Sequence, residues 1–249
     1  REFVRSPAPD PAGRAKALDE TLSRSEEQIV GNDVPLDAES FEIGRSRIFA
    51  PGWLENESIF LHMHYKYLLE ILRSGMTESF FEESKTGLIP YRDAESYARP
   101  LFENSSFIAS SAFPDPTFHG RGFVARLSGA TSEFLSMIYF IFFGSRMFFD
   151  GGEGKVFFSP EPRIPKEWFS KTDTPRLAKN AVQVRLFGVP VTFVNPQRKA
   201  TWGPGAAKPV EYEWILDGRF YKHKGKVMTG DASGALREGR LERLTILLG

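Results

Sequence analysis

Cysteine is absent from all 249 residues. That removes disulfides, thiol nucleophiles and every cysteine-ligated metal site. It leaves the compartment open, because cysteine-free chains occur on both sides of a membrane. Net charge is absent too, since 32 Lys and Arg offset 32 Asp and Glu. Without a basic excess, neither nucleic acid nor an acidic membrane surface is an expected partner. Long apolar runs are also missing. The most apolar stretch, Phe134–Phe143, is broken by Ser136 and falls well short of the roughly 20 residues a bilayer span needs. A buried helix is expected there. Arg1–Ala12 is polar and Pro-rich, without the apolar run of a secretory signal. The chain has no G-x-S-x-G elbow, no P-loop and no G-x-G-x-x-G fingerprint. Gly151-Gly152-x-Gly154 reads as a hairpin-like turn.

What is plentiful is aromatic: 23 Phe, 7 Tyr and 4 Trp, set among 17 Pro and 22 Gly. This predicts a large buried core cut by many turns. At 41% hydrophobic and 26% charged the composition is globular, which excludes wholesale disorder. The length suits one large domain or two ordinary ones.

Arg1-Glu2-Phe3-Val4-Arg5 lacks an initiator Met and reads as the end of a strand, so the chain is expected to be the later part of a longer one. Asp10–Val30 has helical spacing, with Asp10-Pro11 as cap and first position. After a punctuated loop over Gly31–Gly52, a helix is predicted over Glu55–Ser74. Ile59, Phe60, Leu61, Met63, Leu68, Leu69, Ile71 and Leu72 cover nearly all its sides, which predicts burial all round. Met76–Lys85 makes a shorter helix, stopped at Gly87. Residues 88–122 read as a long loop of the kind that is usually functional. Arg126–Phe143 is a second apolar helix, ended by Gly144. Beyond it the period changes to alternating or β-branched runs at 155–158, 182–186, 189–194, 210–215 and 241–248, separated by turn signals such as Asn195-Pro196 and Asp217-Gly218. The predicted class is α+β. A helical domain over residues 1–146, with the loop 88–122, precedes a small antiparallel β-sandwich over 147–249.

Three places carry candidate chemistry. His62 and His64 would share a face in a strand but diverge in a helix; the helical surroundings argue against a shared metal. Each histidine is either functional or a hydrogen-bonded core residue. Ser128-Gly129-Ala130-Thr131 sits where an apolar helix must start. Unpaired N–H groups, the dipole and a glycine open to close approach make a plausible phosphate cradle there, or an ordinary N-cap. The long loop holds Glu103, Asn104, Ser105, Asp115, His119 and Arg121, with Arg126 just beyond. Interleaved with Phe102, Phe107 and Phe113, these suit sugar binding; equally, they could satisfy the loop's own backbone.

Ser58-Ile59-Phe60-Leu61-His62 is similar to the G/S-I-F-x-H segment of the inverting glycoside phosphorylases of the cellobiose phosphorylase family, glycoside hydrolase family 94. Leu127-Ser128-Gly129-Ala130-Thr131 resembles that family's L-T-G-T/S-A segment. Lys155–Trp168, with its prolines, Ile164-Pro165 and Trp168, resembles the lead-in to the family's C-terminal β domain. Residues 55–87 and 103–144 look closest to the subgroup acting on β-1,2-linked oligoglucans. The resemblance implies part of an (α/α)6 barrel followed by a β-sandwich. It implies that His62 and Ser128, with Thr131 as a second candidate, bind inorganic phosphate as co-substrate, with no other cofactor and no metal. Phosphate would attack the anomeric carbon of a β-linked oligoglucan while an aspartic acid protonates the leaving oxygen. Glu103, Asn104, Ser105, His119, Arg121 and Arg126 would contact sugar.

Two departures stand out. Only 61 residues precede His62, too few to include the family's general acid, so that acid belongs to the remaining N-terminal part of the enzyme and this chain alone is expected to be inactive. Glu133-Phe134 stands where characterised members carry an aromatic. The rival expectations are a non-catalytic glucan-binding or structural module, and a glycoside hydrolase on the same fold. Phosphorolysis draws on cellular phosphate, which implies the cytoplasm.

Overall fold

The computed structural model describes residues 48–123 and 129–249. The helix expected over Asp10–Val30 lies outside them. The described chain is mixed α+β and forms two compact units, one drawn from the described residues up to Glu70 and from Ser79 to Phe134, the other from Ile71–Glu78 and Leu135–Gly249.

In the first unit the chain turns tightly at Trp53–Asn56, whose backbone groups bond each other reciprocally at 3.1 Å. Leu54 and Glu57 take left-handed conformations, φ 50° and 59°, which no helix accepts. The helix expected from Glu55 therefore begins later. Ile59–Phe60 (β1) pairs antiparallel with Phe107–Ile108 (β2), which pairs with Gly122–Phe123 (β3). Only then does α1 run, over Leu61–Arg73, its first N–H donating to the Ser106 carbonyl at 3.0 Å. Burial all round is also corrected. Leu61, Tyr65, Leu68, Leu69 and Leu72 are buried, but Met63 is half exposed and Lys66 and Glu70 face solvent. The helix is amphipathic, with one i, i+4, i+7 stripe inward.

Thr77–Gly87 forms α2 and Ala94–Tyr97 a single turn, α3, capped by Asp93. The rest of the loop is ordered around aromatic rings. Trp53 stacks on Phe123 at 3.9 Å and touches Phe113 and Phe118. Gly52 (φ +78°) allows this, because a Cβ there would lie 2.3 Å from the Phe113 nitrogen.

Gly129–Phe143 forms α4, ended by Gly144 at φ 76°, the left-handed stop that glycine accepts without strain. In the second unit Phe148–Asp150 (β4) and Val156–Phe158 (β5) make a hairpin. A five-stranded sheet follows, built from Ala181–Leu186 (β6), Val189–Val194 (β7), Pro209–Leu216 (β8), Arg219–Lys224 (β9) and Arg243–Leu248 (β10), in the order β6-β7-β10-β8-β9. Asp231–Arg237 (α5) precedes the last strand. Two-residue turns at Phe187-Gly188 and Asp217-Gly218 have positive φ at both positions, the geometry that matches strand twist. One pair departs from the antiparallel expectation: β10 runs parallel to β7. A parallel neighbour needs a long crossover, which the β8–β9 hairpin and α5 supply.

The aromatic excess fills this unit's core. Phe142 and Phe143 lie 5.9 and 5.8 Å from Phe193, and Phe158 contacts Phe143, Phe148 and Tyr212. Among the described residues no helix is long and apolar enough to cross a membrane.

Thr201 is fully buried, and its hydroxyl accepts from the Ile164 N–H at 2.7 Å and donates to the Ile164 carbonyl at 3.1 Å. Thr201→Val keeps the shape but strands both groups, each costing about 1–3 kcal/mol when left unpaired. Urea unfolding of the full chain should show a loss of that order; an unchanged midpoint would mean that water or another group replaces the hydroxyl.

Candidate functional site

The site forms where the first turn of α1 meets the first turn of α4. Because α1 starts at Leu61, His62 is its second residue, not two turns in as the longer helix implied. Its ring lies directly on the α4 backbone: a Cβ added at Gly129 would sit 2.1 Å from His62 Nε2. Only glycine allows that approach. The same nitrogen is 3.5 Å from Glu133 Oε1, too long for a good hydrogen bond but an ion pair whenever the ring is protonated.

Beside this pair runs a chain of polar groups. The Ile89 N–H donates to the Tyr65 hydroxyl at 3.1 Å, and that hydroxyl donates to Asn104 Oδ1 at 3.1 Å. The Asn104 amide reaches Thr131 Oγ1 at 3.4 Å. Burial pushes the Tyr65 phenol far above its ordinary range, so it stays a neutral donor and fixes the Asn104 amide with its N–H group toward α4. Phe60, half exposed, stacks on Phe107 at 5.0 Å and stands edge-on to His62 at 6.2 Å. A flat apolar ring beside polar donors is the surface on which a sugar ring can rest.

The site thus gathers His62, Asn104 and Thr131 from the expected residues. Ser128 and Arg126 lie outside the described residues. The remaining candidates are engaged elsewhere. Glu103 binds Arg99 at 2.8 and 3.1 Å. Ser105 is fully buried, its hydroxyl 2.8 Å from the Tyr97 hydroxyl and donating to the Phe107 carbonyl. His119 Nε2 is 2.8 Å from the Phe113 carbonyl, and Arg121 lies over the Phe118 ring at 4.8 Å. Asp115 accepts from the N–H and hydroxyl of Thr117. These side chains hold the loop itself together. The sequence patterns had not singled out Tyr65 or the Phe60 ring face; the polar partner 39 residues away, Asn104, is what gives Tyr65 its place.

His64 points elsewhere. Its Nε2 would meet a Cβ at Gly87 within 2.1 Å, and it has no hydrogen-bond partner among the described residues. Among these residues no group of three acidic or imidazole side chains could hold a metal ion. No protein-family model matches the chain, and no curated protein matches it.

Burial, with the Arg92 charge nearby, lowers the His64 pKa from 6.5 to about 4. Below pH 6.5 the unfolded chain therefore takes up a proton that the folded chain refuses. Stability from this group is intact above 6.5 and is lost as pH falls toward 4, with a slope approaching about 1.4 kcal/mol per pH unit. Urea midpoints of the full chain between those limits should fall more steeply than those of His64→Leu. Parallel curves would place the protonation on another group.

Proposed function

We propose that this chain carries the phosphate-side and sugar-side groups of a carbohydrate-active enzyme of the inverting phosphorylase type, acting on β-linked oligoglucans. The observation that carries this reading is the His62 ring seated on Gly129 at the first turn of α4. That arrangement puts an imidazole donor beside the amino end of a 15-residue helix, where the positive end of the helix dipole also favours an anion. Asn104 and Thr131 add neutral donors, and the Phe60 ring adds a stacking face for the glucosyl unit. The general acid would come from chain upstream. On this reading the helices up to residue 146 are part of an (α/α)6 barrel and the sheet of residues 147–249 is one layer of a sandwich. The enzyme would work where phosphate is plentiful, which favours the cytoplasm.

In this mechanism His62 donates to a phosphate oxygen while the helix terminus offsets the remaining charge. Phosphate then attacks the anomeric carbon from the face opposite the leaving oxygen. Glu133 raises a second reading, since a carboxylate 3.5 Å from the imidazole repels a phosphate dianion but could activate a water instead. That is the hydrolase alternative on the same residues.

Calorimetric titration of the full chain with inorganic phosphate, with and without a β-1,2-linked glucooligosaccharide, separates the readings. The phosphorylase reading expects phosphate binding that His62→Ala weakens by about tenfold or more and that Glu133→Gln strengthens by removing a like charge. Glucan binding indifferent to phosphate and to His62 would favour the binding-module reading. Phosphate binding unchanged in both variants would sink the site assignment.

A further inference from the structure

The open face of the five-stranded sheet holds a cavity that none of the chemistry above uses. Strand register puts Gln183 opposite Thr192, Thr192 opposite Thr245, Thr245 opposite Glu213 and Glu213 opposite Lys222. Directly opposed residues on neighbouring strands share a face and stand about 5 Å apart. The result is a polar row across the whole sheet. The buried apolar side chains Val191, Phe193, Leu244 and Ile246 all fall on the other face. Over this row the loop carrying Arg176 forms one wall, and the cavity of about 260 Å³ is lined by Arg176, Gln183, Thr192, Glu213, Arg243 and Thr245. Phe220, 59% exposed, borders the same space.

The charge is one-sided. The Glu213 carboxylate is held by Lys222 Nζ at 3.0 Å, and that ammonium also takes Glu211 at 2.6 Å. Glu213 thus shares one ammonium with Glu211, and the lining itself sets two guanidinium groups against this single carboxylate. The Arg176 and Arg243 guanidinium groups and the Thr245 hydroxyl have no side-chain partner among the described residues. Two unpaired guanidinium groups on one concavity offer paired N–H donors to a phosphate or carboxylate. The Thr hydroxyls and the Gln183 amide, itself donating to Thr192 Oγ1 at 3.0 Å, match the mixed donors and acceptors of a polyol. Phe220 gives the ring of such a ligand an apolar edge. The volume is below the roughly 300–1,000 Å³ of sites for drug-sized ligands, which limits the occupant to one small ring.

We infer that this sheet face is a second ligand site, binding a single sugar unit that carries a phosphate or a carboxylate. The inference does not depend on the phosphorylase reading, because no residue is shared between the two sites.

The test is calorimetry on the full chain carrying His62→Ala, which silences the first site, with glucose 1-phosphate, glucuronate, glucose and inorganic phosphate as separate titrants. At least one anionic sugar should bind, with glucose weaker by about tenfold or more. The relative affinities of glucose 1-phosphate and glucuronate identify which anion the arginines read. Arg176→Ala with Arg243→Ala should weaken that binding by a similar factor, and both side chains are exposed, so the fold should persist by circular dichroism. Three outcomes would overturn the inference: no heat from either anionic sugar, binding indifferent to both arginine substitutions, or inorganic phosphate binding as tightly as the sugars.

Discussion

The carboxyl end of α4 sets the terms for the second unit. A helix leaves its last four carbonyls without helical partners, and here three are claimed by named neighbours. Phe140 is taken by the Gly144 N–H at 2.9 Å, Ile141 by Arg163 at 2.7 Å and Phe143 by Glu161 at 3.0 Å. The Pro-rich strand-like segment after β5 is therefore a cap, pinned to the helix by its own backbone. Arg163 extends the bracing by donating to the Leu72 carbonyl at 2.7 Å while lying over the Phe140 ring. With that end fixed, Phe142 and Phe143 have one place to go, the apolar face of the sheet.

The first unit meets a different constraint, that of placing a polar ring where a helix begins. Pairing of β1 with β2 and the Leu61 N–H on the Ser106 carbonyl determine where α1 starts, and so where His62 points. Gly129 then permits the approach, and Tyr65 holds Asn104 beside it. Each step uses backbone geometry or a buried hydroxyl, and the half-exposed Phe60 ring stands beside them, stacked on Phe107.

Legibility followed burial. The bounds of β7 match the β-branched alternation of Val189–Val194 residue for residue, because one face is wholly inside. Strand β9 escaped notice for the opposite reason: Arg219–Lys224 is an exposed edge with no apolar face to read. The start of α1 was misplaced because Leu54 and Glu57 adopt left-handed conformations without the Gly or Asn that normally announces them. His62 and Gly129 stood out as local motifs, and they come together. The loop residues were harder. Polar side chains that bond within their own loop and those that reach another element have the same composition, so only the fold separates His119 and Glu103 from Asn104, whose amide reaches Tyr65 and Thr131. Tyr65 depends on a partner far along the chain, which periodicity does not encode.

The sheet order has a consequence for synthesis on the ribosome. Strand β10 lies between β7 and β8, so the hairpins β6–β7 and β8–β9 share no edge until it arrives. Two-stranded ribbons are marginal in water by themselves, and their unpaired edges are open to other strands. The nascent second unit therefore carries the β6–β7 ribbon alone until β9 is complete at Lys224, then two sticky ribbons until β10 begins at Arg243, and consolidates only when Leu244 and Ile246 slot between them. Of everything in this sheet, the stretch made last does the joining, which makes the unit a natural client for chaperones that shield strand edges during elongation.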